Sequence, residues 1–399
     1  MKTVFLSMLA IAALASCSKQ EFIDPHGGPQ EGDKMLVDIT LSSGEITKAS
    51  GAVTAAEDKP INNVTVFFLN ATDQIVSRQY VSGTSLTEDP ENAGVKQATV
   101  ETRTTATKMM VIANIGEDRT ATSGTLNVAT KSQLVNVVQD LVNTDNPPVP
   151  VQAKGDVLMS GEGNVSEMVA DPTGGPSTAT ATVSLNYIAA KITLSKIELG
   201  PQVLGVYGTD FKFTRAFLLN VQTKSHYFPT ANSYIPDPKA YANGVAWETA
   251  WGTDPGYPVV ADFNQELNFV DMNVAKTDIA HWYVFENDPA TVDPTNHPTI
   301  LAVEVEWTKT KADADAGVAE EKVKKMFNVI FAPGDKDVIK AGQAYNVALT
   351  FNGDFRPESD GGNGGGGDDN PDQPNISANV SISVTPANWT DTPTEKPFE

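Results

Sequence analysis

The sequence predicts an all-β protein with one minor helix, built from antiparallel β-sandwiches. Most apolar segments are short and alternate apolar with polar residues, which is the period of a half-buried strand. Val, Thr and aromatic residues dominate these segments, and turn residues separate them at short intervals. A convincing helical period occurs in one segment, so the regular alternation of strands and helices typical of α/β proteins is not present.

The composition is that of a globular, acidic chain. It has 399 residues, of which 40% are hydrophobic and 20% are charged, close to the values of folded domains. This length corresponds to two or three domains of about 150 residues each. The formal net charge of −22 argues against a nucleic-acid partner, since lysine and arginine have to neutralise phosphates. A single cysteine excludes an internal disulfide and a thiolate metal cluster.

The N-terminal residues 1–17 resemble a lipoprotein signal peptide. Lys2 precedes an apolar stretch that is too short to span a bilayer. The stretch ends in small residues directly before Cys17, a pattern that predicts a lipobox in which Cys17 is lipidated and tethers the chain to a membrane. Two alternatives stay open, a buried free cysteine and ordinary cleavage without lipid.

The first half of the chain carries strand signals and the one helical pattern. Period-two alternation places Met35, Val37, Ile39 and Leu41 on one face of a first strand, and further strands are predicted at 63–69, 74–81, 97–102 and 108–113. Residues 131–142 have helical spacing, with Thr130 and Gln133 as a capping box. The Gly-, Pro- and Ser-containing segment 171–178 is the best internal boundary.

The second half adds more strands, a linker and one isolated strand. Strands are predicted at 179–187, 191–199, 215–221, 282–286, 299–307, 324–331 and 345–351. The Gly-rich segment 358–374 predicts a flexible linker. Behind it, unbroken alternation over 375–385 places five residues on one face: Ile376, Ala378, Val380, Ile382 and Val384. An isolated amphipathic strand is unstable in water, so it has to pair with its own sandwich or with a neighbouring molecule.

Four segments make the sequence resemble the type V pilus fimbrillins of Bacteroidales, the major and minor fimbrial subunit family. They are the lipobox, the first strand running into Ile46-Thr47-Lys48-Ala49, the segment NVTVFFLN at 63–70, and ISANVSISVTPANW at 376–389, which contains Trp389. The resemblance implies two transthyretin-like β-sandwich domains in series, at 49–175 and 179–357. A propeptide at 18–48 precedes them, and a C-terminal donor strand at 375–399 follows the linker.

The resemblance also implies how the protein works. The precursor is lipid-anchored to the outer membrane, and a trypsin-like surface protease cuts between Lys48 and Ala49, where the best-known members have arginine. Loss of the first strand opens a groove, and the C-terminal strand of an identical or related pilin subunit fills it, a form of β-augmentation. The implied function is a structural stalk subunit of a surface fimbrium that serves adhesion and colonisation.

Several alternatives to this scheme stay open. In one alternative, the first strand is permanent and Lys48 is an ordinary loop lysine. In another, the C-terminal strand folds back onto its own second domain. The alternative functions are a monomeric glycan-binding surface lipoprotein and a pilus tip or anchor subunit. A Gly-, Pro- and Asn-rich stretch contains four aromatic residues: Tyr241, Trp247, Trp251 and Tyr257. They are a candidate recognition patch for a host or bacterial receptor. The alternative is that this loop packs onto its own sandwich.

Catalytic chemistry finds no support in the sequence. It contains no G-x-S-x-G, no H-E-x-x-H and no G-x-x-x-x-G-K-[ST] motif. His226 and His281 lie in aromatic, strand-like contexts typical of structural histidines. Acidic pairs such as Asp313 and Asp315 lack the spacing of a calcium loop. The sequence therefore predicts no enzyme, no cofactor and no metal site.

Overall fold

The regular secondary structure of the described residues is mostly β-strand, which confirms the predicted all-β class. Among the described residues, no helix has the length and apolar character needed to cross a membrane. The computed structural model describes residues 32–43, 60–92, 94–141, 152–201, 203–204, 211–229, 235, 240–251, 253–288, 297–310, 317, 319, 321–331, 338–352 and 380–388.

Nine strands and a short helix make up the first half of the described chain. The strands are β1 (Lys34–Ser43), β2 (Val64–Leu69), β3 (Ile75–Val81), β4 (Thr87–Glu88), β5 (Val95–Arg103), β6 (Lys108–Ala113), β7 (Val138–Asp140), β8 (Met159–Asn164) and β9 (Ser177–Tyr187). The helices are α1 (Lys131–Val135) and a 3-10 turn at Gly83–Ser85.

The described part of the second half consists mainly of strands and includes 3-10 turns at Thr249–Trp251 and Ala261–Phe263. The strands are β10 (Ala190–Leu199), β11 (Phe211–Leu219), β12 (Val221–Gln222), β13 (Lys224–His226), β14 (Tyr241–Ala242), β15 (Asn264–Phe269), β16 (Lys276–Val284), β17 (Thr299–Thr310), β18 (Glu321–Phe331), β19 (Gln343–Phe351) and β20 (Val380–Asn388).

Eight of the nine strands of the first half, all except β7, form one sheet in the order β3-β2-β6-β8-β9-β1-β5-β4. The sheet folds over on itself, because Ser77 in β3 and Thr102 in β5 share a buried hydrogen bond of 2.6 Å although the two strands lie near opposite edges. Every residue of β2 is buried, and alternate residues of β1 and β9 are buried. The core of this half therefore lies between the two layers of the folded sheet.

The second half contains two four-stranded sheets, β16-β10-β19-β20 and β15-β11-β17-β18. They pack face to face through aromatic rings. The ring of Phe351 in β19 lies edge-on to Phe213 of β11 at 5.1 Å and to Phe327 of β18 at 4.9 Å between centroids. Edge-to-face contacts of this kind add to the free energy of area burial.

A short strand pair and a buried polar cluster join the two halves. Strand β7 of the first half pairs with β13 of the second. Beside this pair, Arg119 Nη1 donates hydrogen bonds to Tyr227 Oη at 3.0 Å and to Gln139 Oε1 at 2.9 Å. The Tyr227 side chain is fully buried, and its burial raises the pKa of the phenol. The cluster therefore holds its protonated tyrosine as a hydrogen-bond donor to Gln139.

The helix in the structure is shorter than the sequence predicts. It starts at Lys131 as expected, with Thr130 as the N-cap, but ends at Val135 instead of 142. The next residues form β7, because they find a backbone partner in the second half of the chain. A short isolated helix is marginal in water, so this long-range pairing outweighs the local helical preference.

The predicted boundary at 171–178 is also displaced. Val169 and Thr178 exchange two backbone hydrogen bonds, at 2.8 and 2.9 Å, so the segment is a turn inside the first sheet. Strand β9 then pairs with β1 and β8 and belongs to the first half, although the sequence placed 179–187 in the second domain. The chain enters the second half at the buried residues Ile188 and Ala189.

Strand β8 was not predicted because its sequence is rich in glycine. Glycine is normally depleted in strands, so MSGEGN has no strand signature. The structure shows why the glycines are there. A Cβ atom at Gly161 would lie 2.4 Å from the carbonyl oxygen of Ser184, and one at Gly163 would lie 2.4 Å from that of Thr182. Both positions therefore need glycine for the close approach of β8 to β9.

Candidate functional site

The site built around β1 is a slot between two strands. Strand β1 runs parallel to β9, from Met35 opposite Ser177 onwards, and antiparallel to β5 on its other side. It is thus an inner strand of the sheet, hydrogen-bonded along both edges. Removing an inner strand would leave two unpaired strand edges facing each other.

Burial holds β1 in this slot. The four apolar side chains that the sequence placed on one face are each at most 1% exposed: Met35, Val37, Ile39 and Leu41. Burying four such side chains contributes a gross stabilisation of about 6–12 kcal/mol, at about 1.5–3 kcal/mol each. The predicted facing of this strand is therefore correct.

The subsites along the slot differ in the size of their flanking residues. Ile39 lies opposite Ala98 in β5 and Ala181 in β9. The next subsite towards the N-terminus is narrower, since Val37 lies opposite Val100 and Ala179. The subsite of Ile39 therefore has the smallest neighbours on both sides and the most room for a side chain.

The outer face of β1 is polar. Asp38 accepts a hydrogen bond of 2.6 Å from Thr99 Oγ1, and Lys34 forms an ion pair with Glu101 at 2.9 Å. These pairs lie at the surface, where an ion pair contributes about 0–1 kcal/mol. They show which residues touch across β1 and β5, while the buried face supplies most of the stability.

The C-terminal strand occupies a different position. Strand β20 pairs antiparallel with β19 of its own chain and forms the edge of that sheet, so it has one hydrogen-bonded neighbour. The register places Val384 opposite Val347 and Ile382 opposite Leu349. The folded-back alternative is therefore the arrangement in the single chain. The strand also runs from Val380 to Asn388, whereas the sequence predicted 375–385.

Several predicted site residues lie outside the described residues: Cys17, Lys48, Ala49, Ile376, Ala378 and Trp389. Their lipidation, processing and donor roles stay predictions. The same holds for the predicted linker at 358–374.

The predicted aromatic patch divides into two clusters. Trp251 stacks on Phe217 of β11 at 6.1 Å between centroids, and Trp247 lies edge-on to Trp251 at 5.5 Å. Tyr241 instead packs with Tyr257 at 5.5 Å. Trp251 and Tyr241 are buried, so these two rings pack onto the sandwich, while Trp247 and Tyr257 are half-buried.

One buried carboxylate was not singled out from the sequence. Glu304 in β17 has a side chain only 5% exposed and accepts hydrogen bonds from Arg215 Nη2 at 2.7 Å and Lys324 Nζ at 2.8 Å. Burial acts to raise its pKa, but these bonds and one from a threonine hydroxyl outweigh it and hold the pKa below its ordinary value. The alternation of valine and glutamate in VEVEW was the available signal.

We expect Glu304→Gln to destabilise the protein by about 1.5–3 kcal/mol at pH 7, since hydrogen bonds to a charged group are lost. The folded-state pKa is lowered, so this stabilisation is complete above the unfolded-state pKa and disappears as the pH falls through the folded-state value. Urea unfolding at pH 7 and at about pH 3 should therefore show the difference between wild type and variant shrinking in acid.

The control is Glu306→Gln on the same strand, whose carboxylate is 3.9 Å from Lys322 at a more exposed position. This variant should change stability by less than about 1 kcal/mol at either pH. A difference between wild type and Glu304→Gln that stayed constant from neutral to acidic pH would contradict the assignment.

The described strands define an all-β protein whose first strand fills a slot between two neighbouring strands. Residues 189–389, just over half of the chain, match the C-terminal domain of the FimA-like major fimbrial subunit protein family. The chain belongs to this family. The matched range begins where the chain enters the second half and includes β10 to β20.

Known relatives agree with this membership. A protein of Parabacteroides distasonis described as "Putative fimbrium tip subunit Fim1C" is 24% identical over 383 residues, which cover 88% of this chain and 87% of the relative. A crystal structure described as a "putative cell adhesion protein" from Bacteroides eggerthii is 25% identical, with a TM-score of 0.66, over 90% of this chain and 97% of that one.

A protein with lower sequence identity shares this fold. A fimbrilin from Porphyromonas gingivalis has a TM-score of 0.55 at 17% identity, covering 89% of this chain and 97% of the other. The chain is thus a fimbrial subunit of the Bacteroidales type, and subunits of this kind lie in cell-surface fimbriae.

Proposed function

We propose that the protein is a stalk subunit that polymerises when the C-terminal strand of another subunit replaces β1. The observation that carries this proposal is the position of β1 as an inner strand with four fully buried side chains. Its loss would leave an apolar slot lined on both sides by unpaired backbone groups. An extended strand from another subunit would satisfy those groups and fill the apolar space.

Proteolytic processing fits the boundaries of β1. The strand ends at Ser43, and the proposed cut after Lys48 lies five residues further along the chain, so one cut detaches the whole strand. The same cut would separate the subunit from its proposed lipid on Cys17. We infer that the precursor is held at the outer membrane until a trypsin-like protease with tolerance for lysine acts on it.

The exchange also has a thermodynamic argument in its favour. In the single chain, β20 has one hydrogen-bonded neighbour, whereas a strand in the slot of β1 has two. Residues 352–379 separate β19 from β20 and span at most about 90 Å when extended, at about 3.3 Å per residue. This length lets β20 leave its own sheet and reach a neighbouring subunit.

A tip subunit is the second candidate function. It is favoured by the relative from Parabacteroides distasonis, whose name describes a fimbrium tip subunit. A tip subunit accepts a donor strand but has no need to give one, and β20 folded onto β19 suits that role. The half-buried rings of Trp247 and Tyr257 would then be available to a receptor.

We expect a disulfide that holds β1 in the slot to prevent assembly. Asp38 and Thr99 lie opposite each other and share a hydrogen bond of 2.6 Å, so Asp38→Cys with Thr99→Cys is positioned to form this disulfide. Under oxidising conditions, protein from cells that express this double variant should show no subunit ladders on mild-detergent gels. A reductant added during assembly should restore the ladders. Thr99→Cys alone is the matched control and should assemble under both conditions.

Fibres that form with the intrachain disulfide intact would refute removal of β1. Labelling of surface fibres with an antibody against this subunit separates the two candidate functions. A stalk subunit is labelled along the fibre, and a tip subunit is labelled at one end. N-terminal sequencing of the same fibres should give Ala49 as the first residue, and recovery of lipidated Cys17 would contradict the proposed cut.

A further inference from the structure

We propose that the donor strand enters the slot in one register, with Val380 in the place of Val37, Ile382 in that of Ile39 and Val384 in that of Leu41. The strand then runs parallel to β9 and antiparallel to β5, as β1 does. This inference rests on the proposed function, because it specifies the geometry of the contact between two copies of the chain.

The first argument is the match between the subsites and the donor sequence. The buried positions of β1 at 37, 39 and 41 read Val-x-Ile-x-Leu, and the donor reads Val-x-Ile-x-Val from 380 to 384. The subsite with the most room lies between Ala98 and Ala181 and receives isoleucine in both cases. Two β-branched residues are thus replaced by identical ones, which conserves the buried volume at these two subsites.

The second argument excludes a shift of two residues in one direction. That shift would place Pro386 at the position of Leu41, opposite Lys96, inside the ladder between β1 and β5. Proline has no backbone N–H to donate and is avoided within inner strands. In the proposed register Pro386 takes the place of Ser43, which is one residue beyond the last pair with β5, Ser42 with Val95, and is the last position that pairs with β9, opposite Leu185.

A shift of two residues in the other direction leaves gaps in the middle of the slot. Ala378 would replace Val37, and Val380 would replace Ile39 between two alanines. Buried side chains that are too small leave cavities that destabilise a core. The proposed register confines the small residue to the end of the slot, where Ala378 takes the place of Met35.

The outer face of the slot provides a reporter for the register. In the proposed arrangement Ser381 takes the place of Asp38, whose side chain touches Thr99. Thr99 is exposed, so a cysteine there disturbs no buried contact. The pair Thr99→Cys and Ser381→Cys should therefore join neighbouring subunits through a disulfide.

The experiment uses fibres from cells that express the full-length double variant, after mild oxidation. Non-reducing denaturing gels should show a ladder of covalently linked subunits for Thr99→Cys with Ser381→Cys. The ladder should be lost when Asn379→Cys or Ser383→Cys replaces Ser381→Cys. Gln97→Cys with Ser383→Cys should restore it, because Gln97 lies opposite Thr40, and this second pair determines the strand direction.

The outcomes separate this inference from the proposed function. Linkage of residue 99 to residue 379 or 383, or no linkage by any pair in fibres that lack β1, overturns the register and leaves strand exchange intact. Fibres whose subunits retain residues 34–43 refute the proposed function itself, whichever cysteines are present.

Discussion

Deletion of residues 375–399 is expected to abolish polymerisation and to leave a folded monomer. Strand β20 is at the edge of its sheet, so its loss removes one ladder and leaves the other seven strands of the two sheets in place. The rings around Phe351 come from strands that the deletion does not touch. The loss of assembly would therefore reflect the missing donor strand rather than unfolding.

The measurement is a mild-detergent gel for ladders, together with size-exclusion chromatography and thermal unfolding of the truncated protein. Deletion of residues 391–399 keeps β20 and Trp389 and is the matched control, which should still form ladders. Ladders formed by the longer deletion would show that this strand is not the donor.

The largest effect on stability is expected from Phe351→Ala. Phe351 is fully buried and its ring contacts three others between the two sheets of the second half, Phe211 at 6.4 Å, Phe213 at 5.1 Å and Phe327 at 4.9 Å. Truncating such a residue costs about 3–5 kcal/mol, because the apolar burial is lost and a cavity is left behind.

Urea unfolding followed by tryptophan fluorescence would measure this loss. The matched variant Phe351→Leu keeps most of the buried volume and should cost clearly less than the alanine variant. A loss below about 1 kcal/mol for Phe351→Ala would mean that the two sheets do not depend on this ring for their packing. Because the residue lies next to β20 in the register, we also expect reduced protection of the β20 amides.

The strands with clear local patterns were predictable from the sequence. Met35, Val37, Ile39 and Leu41 alternate in the sequence and are buried in the structure, because a strand with one face in a core needs this period. The glycine-rich β8 was not predictable, since its residues were selected by the close approach of β9 and not by strand preference.

The pairing partners were not predictable at all. The segment after α1 became a strand because β13 lies beside it, and the turn at 171–178 was mistaken for a boundary because turn residues mark both. Four aromatic residues close in sequence separated into two clusters, since neighbours along a loop pack against different strands. Glu304 stabilises the fold because Arg215 and Lys324 on adjacent strands form ion pairs with its buried carboxylate.

The sequence by itself determined the all-β class, the buried face of the first strand and the resemblance to fimbrial subunits. These properties depend on local period and on short motifs, which a chain carries wherever it folds. Only the tertiary structure decided that β1 is an inner strand and that β20 is an edge strand on its own sheet. Strand pairing joins residues far apart in the chain, and its energy depends on neighbours that no local pattern specifies.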